Sequence, residues 1–600
     1  IYLSPIFASA RESNHNYDVI DPTEVNPELG GIDGLRELAR IAHEAGLGLV
    51  LDIVPNHLGV EVPRTNRWWW DLLKHGKNSE FEPYFDIDWH EDNGAGGKLG
   101  LPVLGKEGDE DKLRLTHVGP EEFPEGAAPE GEDVLQYFDK YFPLEPGSYD
   151  SLDDDPVEVY SRQSYRLMYW RDGVISYRRF FSVNGLAGIQ QEDPLVFEHS
   201  HRVLRQLIAE DLIDGIRVDH PDGLTDPFDY LTRLRDLIGP DRWLVVEKIL
   251  GVTEPLDPRL NVDGTTGYDA MRELDGVFID RSAEDQLGML ALQQSGSPWD
   301  EDAITAAEHQ LKGKVARDEL DAEVRRLVRA IRRDNFSTAG QDVSEEDLTE
   351  TVIELIAAIP VYRADYRSLS RITSSVIAEQ AICDWIDALL YGPVAPTITD
   401  FAAKLHRGGV QVSLGRKVLH LAGAGVPDTY QGQEFIDFSL VDPDNRRFID
   451  YTARAQTLQQ YLEAREDEAF DLAAYLTDTD DGTISADRAK QLIIREGLHL
   501  RREFADVFLS GEHQAVFAVG EAHDHLVGIA RGDASVSGTG GLSIIALATR
   551  LPLALESRGG WGETTVQLPE GEWTDRFSGR TFSGVVLVAE VFSTLPTALL

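Results

Sequence analysis

Hydrophobic and polar positions along the first 250 residues fall into two alternating rhythms. Tyr2 to Phe7 is an apolar run that predicts a strand, and the polar run from Arg11 to Asp18 predicts a loop. Leu35, Leu38, Ala39 and Ala42 recur at helical spacing, which predicts a helix over 34–45 with Asp33 as its cap. Leu47 to Val54 is apolar on both faces, as a strand inside a covered parallel sheet is. The rhythm returns after a break: a helix over 196–211, a strand from Gly215 to Asp219, a helix over 227–238 and a strand from Trp243 to Glu247. Strand, helix and strand joined by short connections mark βαβ units and an α/β fold.

The remainder follows other patterns. Residues 61–155 form a long insertion holding Trp68-Trp69-Trp70 and a Gly-rich stretch over 93–100. That stretch lacks the Gly-Lys-Ser/Thr of a phosphate loop and is expected to be an ordinary loop. The three tryptophans suit either stacking on sugar rings or local core packing. Residues 282–378 are mostly helical, with Leu320, Val324, Leu327, Val328 and Ile331 on one stripe and arginines opposite, expected to be a solvated scaffold. Ser344-Glu-Glu-Asp347 begins another helix in the manner of a capping box. A helix over 410–421 precedes Gly425 to Glu434, read as strand then loop, and helices run from Tyr451 to about Phe508. Asp478 to Gly482 resembles the start of a calcium loop, but its Gly falls one place early and no Glu occupies the twelfth position. From Ala515 onward, short apolar runs between Gly turns predict a small antiparallel sandwich.

Composition narrows the function classes. A formal charge of −49 argues against nucleic acid and anionic membrane surfaces, which call for basic patches. No apolar run approaches the length of a membrane span. The single cysteine, Cys383, excludes an internal disulfide framework and favours a reducing, cytoplasmic compartment. The chain opens at Ile1 in what reads as a strand already in progress, so the natural N-terminus, and with it a first strand and helix, is expected to lie outside it.

Three polar clusters close the barrel-like strands: Asp52-Ile-Val-Pro-Asn-His57, Gly215-Ile-Arg217-Val-Asp219-His220 and Trp243-Leu-Val-Val-Glu247-Lys248. Period two puts Arg217 and Asp219 on one face, where a guanidinium holds the carboxylate ionised and oriented. On that stretch alone Asp219 is either a pre-aimed nucleophile or half of a structural ion pair. At the C-terminal ends of parallel strands, Asp52, Asp219 and Glu247 converge on one mouth. Two such carboxylates flanking a glycosidic bond are the working parts of retaining glycoside chemistry. A metal is the rival occupant, disfavoured because Arg217 already compensates Asp219 and the histidines lack ligand spacing, so no metal or cofactor is expected.

In order, these clusters resemble the first three signatures of the α-amylase superfamily (glycoside hydrolase family 13). Ser13-Asn-His-Asn-Tyr17-Asp18 and Gly425 to Glu434 are similar to its sugar-platform loop and its eighth-strand segment. Tyr2-Leu-Ser-Pro-Ile-Phe7, Val54-Pro-Asn-His-Leu-Gly59, Phe180-Phe-Ser-Val-Asn184, Val218 to Leu224 and Leu440 to Arg447 resemble, within that superfamily, the maltooligosyl trehalose synthase family. The resemblance implies a (β/α)8 TIM barrel with long insertions and a C-terminal antiparallel β-sandwich. It implies a maltooligosaccharide substrate whose reducing-end α-1,4 bond becomes an α,α-1,1 bond. Asp219 would be the nucleophile, Glu247 the acid/base and Arg217 the group orienting Asp219. Asp52, His57 and Tyr17 would bind the sugar at the cleaved position, and His220 the next one. The insertion and the loop from Asp442 to Arg447 are the expected walls of a pocket that keeps the released glucose from water.

The barrel is expected from 1–60, 156–281 and 405–451, with the insertion at 61–155 and a helical excursion over 282–404. A helical segment over 452–508 and the sandwich over 509–600 follow. The fourth signature of the superfamily, a His-Asp, has no match between Glu247 and Tyr430. The one His-Asp, His523-Asp524, reads as a surface turn. Ser374 to Gln380 also runs directly into Ala381 to Trp385, where the family has a long stretch, which predicts that the segment around strands 6 and 7 is lacking. A hydrolase or glucanotransferase on α-1,4-glucans, and a catalytically dead glucan-binding protein, stand as the alternatives.

Overall fold

The computed structural model describes all residues except 125–126, 172, 297–299, 334–342, 360–389, 441–443, 468–469, 478–483 and 533–540. Cys383, the junction near 380, the Asp478 to Gly482 run and part of the 440–447 run lie outside the described residues. The chain divides into two compact units, Ile1–Asp269 with Ala291–Leu369, and Ala270–Leu290 with Ser370–Leu600. No described helix is long and apolar enough to cross a membrane.

The first unit is built on a five-stranded parallel sheet in the order Tyr2–Leu3, Val50–Ile53, Gly215–Val218, Trp243–Val246, Gly264–Thr265. Leu51, Ile53, Ile216, Val218, Leu244 and Val246 share one buried core on one face, and Asp52, Arg217 and Val245 on the other face are buried too, so the strands are covered on both. The strand Gly264–Thr265, next to Trp243–Val246, is too short to carry a periodic signal and escapes sequence reading.

Several local expectations are corrected. The run 2–7 is interrupted at Ser4-Pro5: Tyr2–Leu3 joins the parallel sheet, whereas Phe7–Ser9 pairs antiparallel with Val19–Val25. The first helix starts earlier, at Gly31, behind a left-handed Gly30, so Asp33 lies in its first turn and pairs with Arg36 instead of capping. The helix over 196–211 is two helices, Pro194–Ser200 and Arg202–Ala209, parted at His201. The helix over 227–238 stands as expected, its N-terminus satisfied by Asp226 accepting from the Asp229 N–H.

Within the insertion, Arg67–His75 is a helix, and Arg114–Val118, Glu132–Tyr137 and Lys140–Pro143 form an antiparallel sheet. Trp68, Trp69 and Trp70 are 4%, 1% and 9% exposed, so all three are core and none is presented to a sugar. They pack on Phe81 and Tyr84, on Phe85 and Tyr177, and on Phe123 respectively. The arginine face of helix Asp321–Arg333, expected to be solvated, is docked. Arg326, Arg329 and Arg333 pair with Asp86, Asp88 and Asp92, matching one helical stripe to three aspartates of the segment 86–92.

In the second unit, residues 405–451, expected with the barrel, begin inside a helix, Ala395–Ala422. This helix packs on the strand Leu542–Thr549 and on helix Ala486–Glu503. Close approach needs glycines: a Cβ on Gly497 would come within 2.7 Å of Leu421. Gly425 to Glu434 forms no strand. The C-terminal region holds the antiparallel sheet Glu512–Val516, Leu526–Gly532, Leu542–Thr549, Thr597–Leu599 and a second one, Ala518–Val519, Thr565–Gln567, Val585–Leu587. Ile545 and Leu547 share a core with Val566 and Val586, so the two sheets face each other. His523-Asp524 is an exposed turn, as its sequence suggested.

Candidate active site

In-register parallel pairing sets Arg217 directly beside Asp52 on one neighbour strand and Val245 on the other. Asp219 and Glu247 follow the last paired residues, their N–H groups still donating to Ile53 and Val218 carbonyls (2.9 Å each). One guanidinium therefore reaches three carboxylates. Arg217 Nη1 donates to Asp52 Oδ1 and Oδ2 (2.8 and 3.0 Å) and to Asp219 Oδ1 (2.7 Å). Its Nη2 lies 2.9 Å from Glu247 Oε1. Glu247 Oε2 accepts from the His220 N–H at 3.2 Å, and its carboxyl also bonds Asp219.

Two tyrosines complete the floor. Tyr17 Oη donates to Asp52 Oδ2 at 2.7 Å, and Tyr2 Oη to the same oxygen at 3.1 Å. Tyr2 was missed in the sequence, where it is one more apolar strand residue; pairing opposite Val50 puts its hydroxyl beside Asp52. The Arg217 guanidinium also stands 5.8 Å from the Tyr17 ring centre.

Burial governs the electrostatics. Asp52 is fully buried, and desolvation pushes its carboxyl up to about 7 despite the Arg217 charge. Glu247 is raised above the ordinary glutamate value, first by burial and then by the Asp219 charge, while Arg217 opposes. Burial holds the His57 imidazole neutral, down at about 3. His57 Nε2 lies 3.1 Å from the Tyr17 carbonyl oxygen. Phe180 packs on His57 and His220, with ring centres 4.5 and 5.0 Å away, and Phe181 on His220 at 4.9 Å.

Three residues at this mouth have left-handed backbone: Asn16 (φ 62°), Phe181 (φ 47°) and His220 (φ 42°). Asn tolerates that region, whereas Phe and His pay for it, and such cost concentrates at functional sites. All seven residues expected at the site, Tyr17, Asp52, His57, Arg217, Asp219, His220 and Glu247, lie in the first unit. By contrast, Arg447 of the second unit pairs with Asp444 in an exposed turn, and Phe448 beside it is 96% exposed.

A parallel sheet whose C-terminal strand ends carry this arginine–carboxylate cluster defines an α-amylase-type protein. In agreement, the family described as Alpha amylase, catalytic domain, matches residues 1–105. A relative from Mycobacterium tuberculosis (strain ATCC 25618 / H37Rv), assigned as a maltooligosyl trehalose synthase, is 31% identical, with 100% of this chain and 94% of the relative covered. The solved maltooligosyltrehalose synthase of Arthrobacter ramosus is 30% identical at a TM-score of 0.81, covering 100% of this chain and 95% of that one. A hypothetical maltooligosyl trehalose synthase of Sulfolobus tokodaii, at 22% identity and a TM-score of 0.71 over 98% of this chain and 94% of that one, shares the fold. The chain belongs to the maltooligosyl trehalose synthase family. Alignment with the mycobacterial relative runs over 784 positions against the 600 residues here, so the relative carries stretches with no counterpart in this chain.

Proposed function

We propose that the chain rearranges maltooligosaccharides into maltooligosyl trehalose within the first unit's site, by a retaining covalent route. The observation that carries this reading is one guanidinium holding Asp52, Asp219 and Glu247 together at adjacent strand ends. Asp219 attacks the anomeric carbon of the penultimate sugar, the C–O bond to the reducing-end glucose breaks, and Glu247 delivers its proton to the leaving oxygen. The freed glucose turns over in the pocket. Its anomeric hydroxyl then attacks the glycosyl-enzyme, Glu247 takes the proton of that hydroxyl, and Asp219 leaves as carboxylate. Arg217 orients Asp219; Tyr17, Asp52 and His57 hold the sugar being cleaved, and His220 its neighbour.

Retaining pairs stand about 5–5.5 Å apart, whereas Asp219 and Glu247 here share a hydrogen bond. Burial raises the Glu247 carboxyl and so favours the protonated form that donates this bond, and the glycosidic oxygen takes over from Asp219 as its acceptor when substrate enters. We place the reaction in a closed (β/α)8 barrel capped by the 61–155 insertion, in the cytoplasm. We place the junction near 380 among the stretches where this chain lacks residues of its relatives.

Incubation with maltopentaose, followed by chromatography of the products, tests the reading. Maltotriosyl trehalose supports it. Shorter malto-oligosaccharides alone overturn it in favour of a hydrolase or glucanotransferase, and absence of any product in favour of a glucan-binding protein.

A further inference from the structure

Arg178 is absent from every sequence signature, yet it joins the two turns that carry His57 and His220. Its Nη1 donates to Asn56 Oδ1 at 2.6 Å and to the Gly223 carbonyl at 2.8 Å, and its Nη2 to the Ile189 carbonyl at 2.7 Å. The guanidinium lies across Gly188, where a Cβ would come within 2.6 Å of Cζ. At Gly223 a Cβ would meet His220 at 2.5 Å and Asn56 at 2.7 Å, so the two turns touch there. Behind Arg178, Nε faces Asp86 Oδ2 at 3.5 Å, and Asp86 is also held by Arg326 at 2.6 Å. A cavity of about 260 Å³ lined by Asp86, Tyr177, Arg178, Glu323 and Arg326 opens on this side.

The donors form a directed chain. Arginine only donates, so the Asn56 oxygen must face it, and the Asn56 amide nitrogen then faces His57 Nδ1 at 3.5 Å. The Tyr17 carbonyl only accepts, so His57 Nε2 carries the hydrogen and Nδ1 is bare. We propose that Arg178 is a positioning residue for the reaction. It touches no reacting atom; it fixes the Asn56–His57 turn against the His220–Gly223 turn and sets the amide direction that matches the His57 tautomer. The Asp86–Arg326 pair clamps it from helix Asp321–Arg333, which extends the site's support into the helical excursion.

This inference rests on the proposed site, and its test has a readout that does not. In the full chain, Arg178→Ala is expected to lower kcat/KM for maltopentaose about 100-fold, the size of a small misplacement of catalytic groups. Guanidinium ion at tens of millimolar, entering through the cavity, is expected to restore at least about tenfold, while ammonium restores nothing, because only a fork spans these acceptors. Arg178→Lys is expected to stay folded and still lose most of the activity. In 15N-histidine spectra, assigned with a His57→Gln control, His57 is expected to leave its single-tautomer pattern in both variants. An unchanged kcat/KM in Arg178→Ala, a loss that guanidinium does not relieve, or an unchanged His57 pattern would each overturn the role. Should the wild-type chain make no trehalosyl product, the His57 pattern alone decides.

Discussion

Replacing Arg217 by Met keeps the length of the side chain and removes the charge that three carboxylates share. Asp52 loses two bonds (2.8 and 3.0 Å) and Asp219 one (2.7 Å), with Glu247 losing its ion pair at 2.9 Å. Removing one partner of a buried ion pair costs about 3–5 kcal/mol, and that is the expected loss at pH 8, where the orphaned carboxylates are pressed to ionise. The pH dependence has a definite sign. Burial already raises Asp52 to about 7, and losing Arg217 raises it further. A group whose folded pKa is raised stabilises the fold at low pH and loses that contribution as pH climbs through the folded value. Acidification therefore relieves the variant by about 1.4 kcal/mol per pH unit for each carboxylate that protonates. Urea unfolding followed by tryptophan fluorescence reports on the first unit through buried Trp68, Trp69 and Trp70, with buried Trp573 replaced by Phe in both proteins to remove its signal from the second unit. The expected result is a large gap from wild type at pH 8 that narrows by pH 5.5. A loss under about 1 kcal/mol at pH 8, or one equal at both pH values, would refute the claim that Arg217 neutralises buried carboxylates.

Two further outcomes follow from the same geometry. Glu247→Gln is expected to lower kcat about 10²–10⁴-fold with little change in maltopentaose binding, measured by calorimetry; a change under tenfold would remove Glu247 from proton transfer. His57 is held neutral in the folded state, at about 3, so wild-type stability falls as pH drops below the ordinary histidine value. At pH 5 that deficit is about 2 kcal/mol, and the stability gap between wild type and His57→Gln should shrink by that amount between pH 7 and pH 5; a constant gap would mean the imidazole is free to charge.

Alternation alone placed Arg217 and Asp219 on one face of the stretch 215–219, and short connections between apolar runs announced parallel pairing. Both are local properties, carried by period two and by chain length. The same reading could not choose between core and sugar for Trp68, Trp69 and Trp70, because burial depends on what folds over a helix and not on its own spacing. Nor could it see that the arginines of Asp321–Arg333 meet Asp86, Asp88 and Asp92, residues some 240 positions away. Arg178 and Tyr2 were silent for a related reason: each acts through partners brought near only by strand register and turns.

The opening ambiguity of Asp219, nucleophile or structural ion pair, has the same origin. By itself the sequence determined which residues point the same way from a strand. Tertiary structure decided that a single guanidinium would serve three carboxylates at once, because in-register pairing stacks Asp52, Arg217 and the strand before Glu247 side by side, and burial there makes every charge depend on its neighbours.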